Sequence, residues 1–438
     1  MYGIFRRFIF CTLLGLSSAV MAQEETGGNE KGFDWSLDIA GATFLGNDSY
    51  FGESENFLGA NTDDWTEGAV ELGISGHFPL GNGTFFAELS GLVSATWGDD
   101  PSGLTPGLDD THHADWEQAH FGWRSGDSFS SLDADALTLK AGNFDYLVGS
   151  GLLLADGTRD GGGRGGWWLS PRKAFRESFL ATLRSGAWKI DGYYLQGEGR
   201  RDDERVYGYG GDLEYEFVDA GLNTGLLYLK VPDQKVSDAT FRERYESLSL
   251  RGDWAASDDL SFGGEYAYQS RPGTHPKGWF LKGAYKLNGT FWTPEFSYRY
   301  AHFDGDDLST PGDEGFATAA YGWTDNGTWF QGEITGGLVL DNSNLKSHML
   351  HLRLFPNGDL VFNVIYYDFK LDQPNIFGDP VGSTDWGNEI DLSVDYPIGD
   401  RWFLNGAIGW LNPGTAATNW TGGDKTWLFG LLYVSYSL

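Results

Sequence analysis

Polar and apolar residues alternate with period two through most of the chain. In EGAVELGISGHF (67–78), Val70, Leu72 and Ile74 fall on one face while Glu71, Gly73 and Ser75 fall on the other. In LSFGGEYAYQ (260–269), Leu260, Phe262, Tyr266 and Tyr268 oppose Ser261, Glu265 and Gln269. In NEIDLSVDYP (388–397), Ile390, Leu392, Val394 and Tyr396 oppose Glu389, Asp391, Ser393 and Asp395. Successive side chains of a strand point to opposite sides, so each segment predicts a strand with one apolar and one polar face. No blade-like repeat of longer period stands out, which argues against a propeller.

The connections between these strands alternate in length. Short ones fall at 79–83, 184–187, 218–221, 286–290, 355–359 and 397–400, and long ones at 44–66, 98–114, 145–172, 304–345, 370–386 and 412–425. Short inner turns and long outer loops are the pattern of a transmembrane β-barrel. A first count gives about nineteen strands, an odd number that a bacterial single-chain barrel disfavours. Counted from the N-terminus, the strand near 292–303 runs outward; counted from the C-terminus, the strand near 346–354 runs inward. The two are neighbours only if 304–345 is one outer excursion. Segment 329–337 is then loop, expected as a hairpin over the mouth, and eighteen strands remain, enough to enclose an aqueous channel.

Composition agrees with this fold class, an all-β transmembrane antiparallel barrel. Aromatic residues make up 16% of the chain and glycines number 64, while hydrophobic residues reach only 40%, as expected when each strand needs one apolar face. Residues 1–22 have the parts of a secretory signal: Arg6 and Arg7, an apolar run from Phe8 to Val20, and Val20-Met21-Ala22 before the expected cleavage. The barrel is then 23–438, in the outer membrane of a Gram-negative cell. Cys11 lies inside the signal, so the mature chain has no disulfide or thiol chemistry. The last segment, TWLFGLLYVSYSL, places Leu428, Leu432, Val434, Tyr436 and Leu438 on one face and ends in Leu where such strands ordinarily end in Phe.

Strand phase also assigns side chains to the interior. On KAFRESFLATLR, Phe175, Phe179, Ala181 and Leu183 are expected to face lipid, and Arg176, Ser178, Thr182 and Arg184 to face in. The expected interior bases are Arg124, Lys140, Arg176, Arg184, Lys189, Arg251, Arg299 and Arg353; the acids include Asp191, Asp212, Glu214, Glu265, Glu295, Glu389 and Asp391. The bases crowd onto the strands between 124 and 189, although the formal net charge is −32. Above them stands ADGTRDGGGRGGWWLSPRKAFRE (155–177), whose Arg159, Arg164, Arg172 and Lys173 extend that wall toward the mouth. Glycines let this loop fold against the wall, and Trp167 and Trp168 could hold it there. Arginines suit carboxylates and neighbouring aromatic rings suit sugars. The alternative is a solvated loop whose arginines pair with Asp156 and Asp160 or with lipopolysaccharide phosphates. The acidic outer loops, among them DGDDLSTPGDEG (304–315), match no calcium-loop spacing and read as solvated.

Three stretches resemble the alginate-export family of outer-membrane barrels: 137–196, with its Gly-rich loop and Arg-Phe strand; 340–373, with its Asn-Leu start and Pro turn; and 386–414, with its Gly-x-Glu-x-Asp strand and Pro-Gly loop. The resemblance implies an eighteen-stranded barrel and an arginine-lined conduit for an anionic polyuronate. Arg172, Arg176, Arg184 and Arg353 fall in the matched stretches. The residues by themselves leave a second reading open, a general or oligosaccharide uptake porin of weak selectivity. No nucleophile elbow, zincin or P-loop motif is present, and His112-His113 beside Asp109 and Asp110 lacks the second acidic pair that an omptin-like protease needs. No catalytic residue, metal or cofactor is therefore expected. The expected partners are outer-membrane lipid and lipopolysaccharide, a saccharide solute, the assembly machinery and periplasmic export proteins. No nucleic acid is expected, and the barrel is expected to be a monomer.

Overall fold

The computed structural model describes residues 32–58, 64–98, 111–199, 205–235, 241–242, 244–318, 320, 322, 331–357 and 359–438. The expected signal segment lies outside them, as do Asp109 and Asp110. Eighteen antiparallel strands close into one barrel. They are β1 (Gly32–Asn47), β2 (Trp65–Leu80), β3 (Gly83–Gly98), β4 (Thr111–Arg124), β5 (Leu137–Phe144), β6 (Phe175–Ser185), β7 (Trp188–Glu198), β8 (Arg205–Phe217) and β9 (Leu222–Val231). There follow β10 (Tyr245–Ala255), β11 (Leu260–Ser270), β12 (Lys277–Lys286), β13 (Glu295–Phe303), β14 (Leu345–Leu354), β15 (Val361–Leu371), β16 (Asp385–Ile398), β17 (Trp402–Pro413) and β18 (Trp427–Ser437). Each strand pairs with its neighbours in sequence, and the barrel closes where Asp38–Asn47 of β1 pair with Leu428–Ser437 of β18.

Exposure alternates as the sequence pattern requires, with the apolar face outward. Leu72, Leu250, Leu281, Leu350, Ile408 and Leu432 are each half exposed or more, while Glu67, Ser90, Ser249, Gln269, Ser347 and Asn363 are buried. An apolar surface running right round a molecule would be a liability in water but is what bilayer hydrocarbon requires. No helix among the described residues is long and apolar enough to cross a membrane. Closure also removes the free strand edges that lipid could not satisfy.

The parity argument locates the eighteen strands, but the described part of the expected hairpin, from Gln331 on, is not a hairpin; residues 329 and 330 lie outside the described residues. Gly332–Val339 instead makes a π-helical turn inside the barrel, where Ile334 and Leu338 are buried. Its alternation satisfies packing on several sides at once, which imitates a strand. The inner connection 125–136 is also longer than the other inner turns, and is tied by Ser125 N–H to the Leu137 carbonyl at 2.9 Å. Phe175 differs from expectation as well: it is buried inside rather than facing lipid. The pairing of β6 shifts register between 175 and 178 against β5 and between 176 and 179 against β7, and Glu177 has φ 44° there. That bulge changes the phase of the strand start.

Candidate functional site

The site is the barrel interior, and two inward loops shape it. The first is residues 145–174, between β5 and β6. At one end Glu67 of β2 accepts the backbone N–H groups of Trp168 at 3.0 Å and Leu169 at 2.8 Å. Glu117 of β4 likewise accepts those of Lys173 at 2.7 Å and Ala174 at 2.6 Å. The Trp168 ring packs against Phe44 and Tyr433, with centroids 5.2 and 5.9 Å away. At the other end, the Ser150 hydroxyl donates to Glu265 of β11 at 3.2 Å. In a ring of eighteen strands, β11 lies nine steps from β2, so this segment is a strap across the full diameter.

The glycines of the strap answer to close approach. A Cβ on Gly165, φ 66°, would lie 2.8 Å from the Thr96 backbone nitrogen; one on Gly149, φ 57°, would lie 2.5 Å from the Arg251 side chain. Larger residues would hold the strap off both walls.

The second inward loop is the turn at 332–339, docked on β14, β16 and β17. Glu389 of β16 accepts the N–H groups of Ile334 at 2.7 Å and Thr335 at 2.9 Å. Asp391 accepts that of Glu333 at 3.3 Å. Gln331 accepts from the Ser347 hydroxyl at 2.6 Å. Three inward glutamates thus do the same work, each taking two consecutive backbone amides of a loop that would otherwise leave them unpaired. Losing a partner for a buried donor costs about 1–3 kcal/mol. Glu67 and Glu117 are not distinguished by the sequence reading; their signal is an acid on the interior phase near the outer end of a strand.

Three bases of the strap, Arg164, Arg172 and Lys173, are ion-paired. Arg172 donates to Asp160 at 2.6 Å and to Ser94 at 2.9 Å, and Lys173 meets Asp156 at 3.1 Å. Arg164 lies 3.5 Å from Glu198, and Arg176 bridges Glu117 at 3.2 Å and Glu198 at 3.4 Å. Arg159 is half-buried and lines a cavity of about 220 Å³ with Asp156, Glu198, Tyr207 and Tyr245.

A second network joins the next strands. Arg251 makes a two-pronged pair with Asp212, both contacts 2.7 Å, and reaches Glu214 at 2.7 Å. Lys189 meets Asp191 at 3.2 Å and Glu214 at 3.3 Å, and Asp191 also accepts from Thr182 at 2.6 Å and Tyr146 at 3.0 Å. Glu265 accepts from Ser249 at 2.5 Å. Removing one partner of such a buried pair strands the others. Arg251→Leu is therefore expected to lower stability by about 3–5 kcal/mol in urea unfolding of the refolded barrel. The double change Arg251→Leu, Asp212→Leu should recover much of that loss, and a single variant as stable as the parent would refute the account.

The remaining predicted residues are less enclosed or lie elsewhere. Arg353 meets Glu295 at 3.5 Å and covers Phe355. Arg299 is enclosed, in register with Lys282 and Met349. Arg124 and Arg184 are exposed near the inner ends of β4 and β6, and Lys140 is half-buried over Phe144. Glu389 and Asp391 face inward, but the second loop covers them completely. The bases between 124 and 189 are thus matched in part, by Asp156 and Asp160 of the strap itself and by acids of β4, β7 and β8.

No family model matches the sequence, and no curated protein matches it. Solved structures share the architecture. OccAB2 of Acinetobacter baumannii superposes with a TM-score of 0.59 at 13% identity, over 93% of this chain and 98% of that one. OccK1 (OpdK) of Pseudomonas aeruginosa gives 0.58 at 14% over 93% and 98%. The outer membrane protein OprD from Pseudomonas aeruginosa gives 0.55 at 15% over 93% and 94%. These likenesses carry the fold, and the alginate-export resemblance of three stretches gains no family match beside them. With its apolar outer band and closed eighteen-stranded wall, the chain has the fold of a porin-like transmembrane β-barrel.

Proposed function

We propose that this barrel is an uptake channel for small hydrophilic solutes, saccharides among them, with weak charge selectivity. The strap carries the reading. A crossing segment bonded to opposite walls favours solutes the size of a few sugar rings over a continuous polymer. The pairing of interior bases with acids favours a path that presents both signs to a solute, rather than an unbroken cationic wall. Both features support uptake over polyuronate export. The OprD and Occ structures are porin neighbours at the level of fold, and their solutes are not carried over.

Reconstitution in planar bilayers under a tenfold salt gradient tests the proposal. The expected reversal potential is well below the ~59 mV of an ideally selective pore. A value close to that limit with the anion sign would overturn it and restore the arginine-lined conduit.

A further inference from the structure

On the outer surface, away from the interior, three neighbouring strands gather groups that the sequence keeps apart. His302 of β13 is in register with Lys346 of β14, which is in register with Lys370 of β15. These positions share the outward phase of Tyr298, Leu350 and Tyr366, all exposed. Asp304 follows His302 by two residues and Asp372 follows Lys370 by two, which returns both carboxylates to that side at the outer rim. His302 Nε2 lies 3.1 Å from Asp372 Oδ1 and 3.4 Å from Asp304 Oδ1. The three atoms lie within 4.8 Å of one another.

We propose that His302, Asp304 and Asp372 form a binding site for a divalent transition-metal ion of the zinc type. One imidazole and two carboxylates make an N/O donor set suited to such ions, with a fourth position left for water. Bonds of about 2.0–2.2 Å at tetrahedral angles put neighbouring ligand atoms roughly 3.3–3.6 Å apart; the 3.4 Å His302–Asp304 distance falls in that range and the 3.1 Å His302–Asp372 distance just short of it. The carboxylates are also oriented from behind. Gly305 N–H holds Asp372 Oδ2 at 3.0 Å and Lys277 N–H holds Asp304 Oδ2 at 2.8 Å, so each Oδ1 is turned toward the imidazole. Such second contacts commonly fix metal ligands. Lys346 Nζ, 2.7 Å from Asp372 Oδ1, competes for the site. Its side chain is about one-third exposed, with water into which the ammonium can withdraw. Sequence spacing hides the set, because the third ligand sits two strands away.

The test is calorimetric titration of the folded barrel in detergent with zinc chloride, using magnesium chloride as the control. One zinc site and no magnesium site are expected. His302→Ala should weaken zinc binding at least tenfold. Lys346→Gln, which removes the competing ammonium, should tighten it by up to about fivefold. That gain is a result a misfolded variant cannot produce. Zinc binding that is equal in the parent and His302→Ala, or no tighter in Lys346→Gln, overturns the site.

Discussion

Deleting residues 158–168 is expected to raise single-channel conductance severalfold while leaving the barrel assembled. The deletion removes Trp168, whose amide binds Glu67 and whose ring packs on Phe44. It also removes Asp160, the partner of Arg172. All eighteen strands lie outside the deleted stretch, so the wall keeps its ladder of hydrogen bonds. The remainder keeps a tie at each end, Ser150 at Glu265 and the Leu169 and Ala174 amides at Glu67 and Glu117, but with the intervening residues gone it is too short to hold both ends at once across the diameter. Glu67→Gln is the gentler version: it keeps an acceptor but gives up the charged bonds to two amides, and intermittent opening is expected in single-channel traces. Unchanged conductance in the deletion variant would mean that the narrowest point lies elsewhere, and the strap would lose its assigned role.

Raising the pH from 5 to 9 is expected to loosen the second inward loop. Burial first, and then the charges of Glu389 and Asp395, push the Glu333 carboxyl from its ordinary value up to about 8. In the undocked loop the same group ionises near 4.5. Below that value both states hold the proton and docking carries no penalty. Between the two values only the docked state holds it, so docking loses about 1.4 kcal/mol per pH unit, roughly 4–5 kcal/mol by pH 8. Conductance should therefore climb across this interval and level off above it. Glu333→Gln removes one titrating carboxyl from its buried cluster with Glu389 and Asp391 and should make the climb shallower. A parent channel with a flat profile, or a variant that keeps the parent's slope, would contradict the account.

The strands were legible because lipid on one side and polar interior on the other impose period two on nearly every crossing. Parity then placed 304–345 outside the wall without any structural knowledge. What alternation could not reveal is where the phase breaks, since the bulge after Phe175 depends on one residue, Glu177, in the left-handed region. Nor could it reveal how interior charges pair. Arg176 finds Glu117 and Glu198, and Arg251 finds Asp212, through contacts set by strand order and loop return. The count of bases between 124 and 189 suggested a free cationic wall; the acids that match it come from the strap itself and from β4, β7 and β8. The same blindness hid the rim site, where His302 and Asp304 are neighbours but Asp372 is not.

The pairing of Asp38–Asn47 with Leu428–Ser437 also governs how the molecule comes into being. The first strand must wait for the last, so no cylinder exists until the whole chain has been made and delivered. Until then β1 and β18 are two open edges, able to pair with any other extended chain. Contacts between the far ends of a chain form slowly, because the intervening segments must first be brought to order. Loss of the final strand alone would leave the other seventeen with an edge on each side, and the expected fate of such a product is aggregation or degradation rather than a smaller channel.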